Sequence, residues 1–168
     1  MSEPKAERAI YTGGCLCGAV RYEGTGLLSA CYCHCRMCQK ATGGPFVVGA
    51  QFPRDSFRFT RGEPRWHRSS EIMERGFCAE CGTPLAWRYL TAEWSDWLGI
   101  SIGALDDPGA VAPTCHYGIE SRLPWLALAD DLPEGTYGDR FVEKRAEFGR
   151  DNPDGAPSGY RWGEDLER

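Results

Sequence analysis

Nine cysteines constrain this 168-residue chain more than any other feature, because eight of them fall into three tight groups. Cys15 and Cys17 form one group, Cys31, Cys33, Cys35 and Cys38 a second, Cys78 and Cys81 a third, and Cys115 stands alone. Disulfide frameworks spread their cysteines to close long loops, and a CxC pair cannot bridge itself without severe strain. Thiolates one or two residues apart suit a metal gripped by short turns, and zinc is the usual metal for paired thiolates.

Cys15, Cys17, Cys78 and Cys81 supply two short pairs from distant segments, the pattern of a closed, structural four-thiolate site. Gly18 and Gly82 follow directly, where a positive φ lets backbone amides turn toward sulfur. The middle group differs in stoichiometry. Cys33, Cys35 and Cys38 form a CxCxxC that offers three thiolates from one loop and leaves a coordination position open, as a catalytic and exchangeable zinc requires. Cys31 would share a strand face with Cys33 and is a conceivable fourth ligand. Same-face neighbours on a straight strand stand about 6–7 Å apart, so they meet one metal only where the chain folds sharply. We therefore read Cys31 as a core or near-site thiol and Cys115 as a buried small apolar side chain.

Short stretches rich in β-branched and aromatic residues follow one another, separated by glycine and proline turns. They are Ala19–Tyr22, Leu28–Tyr32, Phe46–Gln51, Ser56–Thr60, Glu71–Phe77, Leu85–Tyr89, Leu98–Ile102 and Thr114–Tyr117. This rhythm predicts a mainly β, antiparallel fold with one short helical turn over Arg36–Thr42. Residues 1–9 read as a flexible N-terminus and 10–138 as one zinc-binding domain. Residues 139–168, with fourteen charged side chains in thirty, read as a charged tail with a short helix over Phe141–Phe148. Nineteen Lys and Arg against twenty-four Asp and Glu give a net charge of −5, which argues against nucleic acid as a partner. No apolar run approaches the roughly 20 residues of a membrane helix, and Met1–Ile10 lacks a signal-like apolar stretch, so a cytoplasmic protein is expected.

Three motifs carry a family resemblance over about Tyr11–Tyr137. They are Gly13-Gly14-Cys15-Leu16-Cys17-Gly18-Ala19-Val20-Arg21-Tyr22, then Cys33-His34-Cys35-Arg36-Met37-Cys38-Gln39-Lys40-Ala41-Thr42-Gly43, then Phe77-Cys78-Ala79-Glu80-Cys81-Gly82-Thr83-Pro84-Leu85. A weaker fourth is His116-Tyr117 followed by Leu123-Pro124-Trp125. In this order they resemble the glutathione-dependent formaldehyde-activating enzyme family, also called the centromere protein V/Gfa domain family. The resemblance implies an Mss4-like β-tent, a structural zinc on the first and third motifs and a catalytic zinc on the second. It also implies carbon–sulfur lyase activity that interconverts S-hydroxymethylglutathione with glutathione and formaldehyde.

A zinc with three thiolates and one exchangeable ligand can hold an incoming thiol as its thiolate, ready to attack an aldehyde or to leave when a C–S bond breaks. A proton must also reach or leave the carbinol oxygen. Of His34, His67 and His116, the last lies in a family-like motif and is the candidate acid–base group, while His34 sits between two ligands and can orient them. Gly43-Gly44 allow close backbone approach or a plain turn, and Phe46 is a candidate for the mouth. Arg36, Lys40, Arg65 and Arg68 are candidates for pairing with thiol carboxylates. The competing class is a non-enzymatic zinc module for a protein partner, which would hold both metals tightly.

Overall fold

The computed structural model describes residues 9–70 and 72–136. The expected flexible N-terminus, apart from Ala9, and the expected charged tail with its helix lie outside these residues. Within them the chain is mainly β, with eleven strands in two sheets and one α-helix. In chain order the strands are β1 Ile10–Gly14, β2 Arg21–Thr25, β3 Ser29–Cys33, β4 Val47–Pro53, β5 Phe57–Arg61 and β6 Arg65–Ser70. Then come β7 Met73–Phe77, β8 Pro84–Tyr89, β9 Trp97–Ser101, β10 His116–Tyr117 and β11 Glu134–Gly135. The helix, α1, spans Arg36–Thr42 as expected; Cys35 caps its start and Gly43, at φ 73°, ends it by donating its N–H to Gln39 O at 2.8 Å. Gly43 thus serves as the helix terminator.

A three-stranded sheet runs β1-β2-β5 and an eight-stranded sheet runs β11-β10-β3-β4-β9-β8-β7-β6. All pairings are antiparallel except those of β10, which lies parallel to both β3 and β11. That exception departs from the wholly antiparallel expectation.

Strand alternation divides the larger sheet into two chemically different faces. On one face Ala30, Ala50, Ile100 and Ala86 stand in register, and with Phe52, Leu98, Leu85 and Tyr22 they form the main core against the smaller sheet. Burying side chains such as Phe52 and Ile100, both 0% exposed, contributes about 1.5–3 kcal/mol each. On the other face the register row runs Ser29, Gln51, Gly99, Trp87, Arg75, His67. Cys31 opposite Gly49, and Cys33 opposite Val47 and Tyr117, share that face. The core is therefore built from one residue parity and the candidate site from the other.

Glycines 49 and 99 are required here by close approach. A Cβ on Gly99 would stand 2.0 Å from Trp87 Cε2, and one on Gly49 2.3 Å from Trp87 Cη2, so the indole lies flat across both strands. Trp87 is thus a residue of the site face.

Candidate metal centres and active-site chamber

Two cysteine sets converge. The Sγ atoms of Cys15, Cys17, Cys78 and Cys81 all lie within 4.8 Å of one another, and so do those of Cys33, Cys35 and Cys38. A tetrahedron of about 2.3 Å metal–sulfur bonds has edges of about 3.8 Å. Cys15–Cys17 at 3.5 Å, Cys17–Cys78 at 3.8 Å and Cys33–Cys35 at 3.5 Å fit that edge, so both sets are compatible with zinc.

Turn chemistry explains the first set. Gly18 and Gly82 adopt φ 77° and 75°, as their positions after each pair predict, and donate N–H bonds to Cys15 O at 3.1 Å and Cys78 O at 2.9 Å. The Val20 N–H points at Cys15 Sγ at 3.2 Å. Thr83 ties the two knuckles together, since its hydroxyl accepts from the Leu16 N–H at 3.1 Å and sits 3.1 Å from Cys81 Sγ. Hydrogen bonds from the Thr83 hydroxyl and its backbone N–H hold the Cys81 thiol down to about 5, the thiolate form a metal needs.

The second set spans the end of β3, where Cys33 lies, the Cys35 cap and the first turn of α1, which carries Cys38. Cys38 N–H points at Cys35 Sγ at 3.5 Å, and Arg75 Nη2 lies 3.8 Å from Cys38 Sγ. As thiols, Cys33 and Cys35 hydrogen-bond toward Cys38, and with the Arg75 charge they hold Cys38 well below the ordinary thiol range. Hydrogen bonding with Cys35 and Cys38, together with burial, pushes Cys33 well above it. Arg75 has no carboxylate partner among the described residues; its guanidinium serves the thiolates. Sequence reading did not single it out. The available signal was a charged residue at the site-facing parity of β7.

The three thiols open into a chamber of about 50 Å³, shared with Cys31, Met37, Gln51, Met73, Trp87 and Tyr117. Beside it runs a larger cleft of about 370 Å³ whose lining includes Lys40, His67, Ser69 and Pro84. Met37, Val47, Arg75 and Trp87 line both spaces.

Cys31 and Cys115 need correcting. They are joined to each other in a disulfide across 84 residues, with Cα atoms 4.9 Å apart. Parallel pairing of β10 with β3 sets His116 beside Tyr32, so the two preceding residues face one another at bonding range. Cys31 is therefore neither a free thiol nor the fourth ligand of the second set, and Cys115 is neither isolated nor a buried apolar filler.

His116 is 3% exposed and lies on the Tyr32 side of β3, stacked on that ring at 4.8 Å. Its Nδ1 is 2.9 Å from His34 Nε2, and its Nε2 is 2.9 Å from Asp130 Oδ1. It does not line the thiol chamber. The Asp130–His116–His34 chain ends on the residue between Cys33 and Cys35, so this pair of histidines backs the metal loop from behind. Burial lowers His34 to about 4, keeping it neutral. Phe46 packs on Tyr32 and His34 at 5.4 and 5.6 Å and is not at the mouth. Of the four candidate cations only Lys40 lines the larger cleft; Arg36 hydrogen-bonds Gln39, Arg68 Nε bonds Ser70 O at 3.4 Å, and Arg65 is exposed on β6.

Among the described residues no helix is long and apolar enough to cross a membrane. A family model described as glutathione-dependent formaldehyde-activating enzyme matches residues 10–121. Among solved structures the chain is similar to a Rhodobacter sphaeroides protein, at 18% identity and a TM-score of 0.45, covering 74% of this chain and 99% of that one. No curated protein matches.

Proposed function

Because the chain belongs to the glutathione-dependent formaldehyde-activating enzyme family, we propose that it is a carbon–sulfur lyase that makes and breaks the bond between a small thiol and an aldehyde, as in S-hydroxymethylglutathione. The observation that carries this reading is the three-thiol loop opening into a partly open chamber, beside a separate four-thiol set. Cys33, Cys35 and Cys38 would hold zinc with one position facing the chamber, and zinc bound there supplies a Lewis acid that keeps an incoming sulfur as its thiolate.

The rest follows from the chain's own residues. At about 50 Å³ against about 370 Å³ for the adjoining cleft, the chamber is the narrower space and suits a sulfur and a one-carbon group rather than a peptide. The body of a tripeptide thiol belongs in the adjoining cleft, whose volume of about 370 Å³ falls within the roughly 300–1,000 Å³ of small-ligand sites. Lys40 and His67 there offer donors to carboxylates. Arg75 offsets the negative charge that three thiolates and a fourth sulfur bring into a half-buried space. Asp130 and His116 orient His34, and through it the backbone between two ligands.

Exchange between formaldehyde and its glutathione adduct, followed in wild type and Cys35→Ser, tests the reading. Zinc-dependent acceleration above the spontaneous reaction in wild type and its loss in Cys35→Ser are expected. Equal rates in both proteins would overturn the lyase reading and leave the zinc-module alternative. Arg75→Met should weaken thiol binding about tenfold or more, the scale of one charge-assisted contact.

A further inference from the structure

Buried polar atoms without partners mark places where a structure expects something else, since an unsatisfied acceptor retains its desolvation penalty. Among the described residues such atoms include those on Tyr22, His34, Gln51, Ser70, Thr91 and Arg122. Only Gln51 also lines the thiol chamber. Its side chain is on the site face of β4, in register with Ser29 and Gly99 and beside the Trp87 indole that crosses Gly99. The residue is 7% exposed, its backbone carbonyl is taken by the Leu28 N–H at 2.8 Å, and its side-chain Oε1 has no partner.

We propose that Gln51 is a substrate-binding residue whose Oε1 accepts a hydrogen bond from the carbinol O–H of a thiol–aldehyde adduct. This rests on the lyase reading above and adds to it a means of telling the adduct from the bare thiol. Of the other lining residues, Met37, Met73 and Trp87 offer thioethers and an indole and Arg75 only donors, while Ser29, Tyr89 and Tyr117 bring hydroxyls; Gln51 is the lining residue whose buried acceptor is left open. An adduct held by its sulfur at the three-cysteine loop carries one hydroxyl that must be desolvated in the chamber. Gln51 supplies the acceptor that replaces water, and a thiol without the carbinol makes no use of it. Sites built around a substrate hydroxyl discriminate strongly in this way, because the analogue lacking it leaves their own polar group unpaired.

Gln51→Met keeps length and volume while deleting the acceptor, and three readouts on the zinc-loaded full chain test the proposal. Glutathione affinity, measured calorimetrically without aldehyde, should stay within about twofold of wild type. The kcat/KM for S-hydroxymethylglutathione should fall by about tenfold or more, the scale of one lost hydrogen bond. The melting temperature of the ligand-free protein should hold or rise by a few degrees, because a buried orphan has been removed. An unchanged kcat/KM in an active wild-type background overturns the role of Gln51 alone. A lower melting temperature with parallel loss of glutathione binding and turnover assigns Gln51 to structure and also overturns it. A wild type that does not accelerate the reaction overturns the lyase reading, and this role with it.

Discussion

Replacing Cys78 by serine should remove a tether between the knuckle after β1 and the knuckle after β7. Cys17 and Cys78 are 61 residues apart, and their sulfurs meet at 3.8 Å. Closing a loop of that length costs an unfolded chain about 4 kcal/mol on the chain-entropy relation for cross-links, and a metal held by both knuckles removes that cost. Domains of this size lose roughly 2–4 °C of melting temperature per kcal/mol, so Cys78→Ser should melt about 8–16 °C below wild type. The measurement is thermal unfolding by circular dichroism on zinc-loaded protein, with the Cys31–Cys115 disulfide kept oxidised in both samples so that its own tether cancels. Metal content of the same samples should drop by one tightly held equivalent. A Cys78→Ser protein with unchanged midpoint and unchanged zinc would refute the assignment, because the Leu16–Thr83 hydrogen bond that also links the knuckles contributes only about 1 kcal/mol.

Cys35→Ser should lose the exchangeable metal while keeping the fold, since its partners Cys33 and Cys38 lie on the same local loop; cobalt substitution, read by its visible absorption, would show one site lost and one retained. Gly99→Ala should destabilise by about 1–3 kcal/mol in urea unfolding, because its Cβ would stand 2.0 Å from the Trp87 ring and drive the indole off the sheet. The hydrogen bonds of Asp106 with Arg21 and Thr12 hold its carboxyl below the ordinary range, so its stabilisation is present above the unfolded value of about 3.9 and is lost as pH falls through the folded value. Asp106→Asn should therefore flatten the acid side of a stability–pH curve, by less than about 1 kcal/mol because the pair is partly exposed, as urea midpoints from about pH 3 to about pH 6 would show.

Local chemistry was legible in the sequence and long-range pairing was not. Both cysteine sets, the glycine after each knuckle and α1 follow from ligand spacing and turn residues within a few positions of each other. β6 was missed because Arg65–Ser70 is a polar edge strand with only Trp66 to suggest burial, and β1 because it ends in two glycines. The Cys31–Cys115 bond depends on a parallel strand pairing that brings together residues 84 apart, a fact of topology with no local signature. His116 was singled out by its motif, yet parity decides its place: it faces with Tyr32, while Cys31 and Cys33 face the other way. Arg75 and Gln51 escaped notice for the same reason, since a lone polar residue in a strand reads as solvent-facing until the sheet that covers it is known.

The two-faced sheet makes metal loading a check on strand alignment. A slip of β3 by one position against β4 would turn Ala30 and Tyr32 toward the chamber and push the sulfurs of Cys31 and Cys33 into the aliphatic layer. A misaligned molecule could then neither assemble the three-thiol loop nor bring Cys31 to Cys115. Metal bound at Cys33, Cys35 and Cys38 would thus mark a molecule whose β3 and β4 are in register, whereas loss of that exchangeable metal leaves the alignment intact.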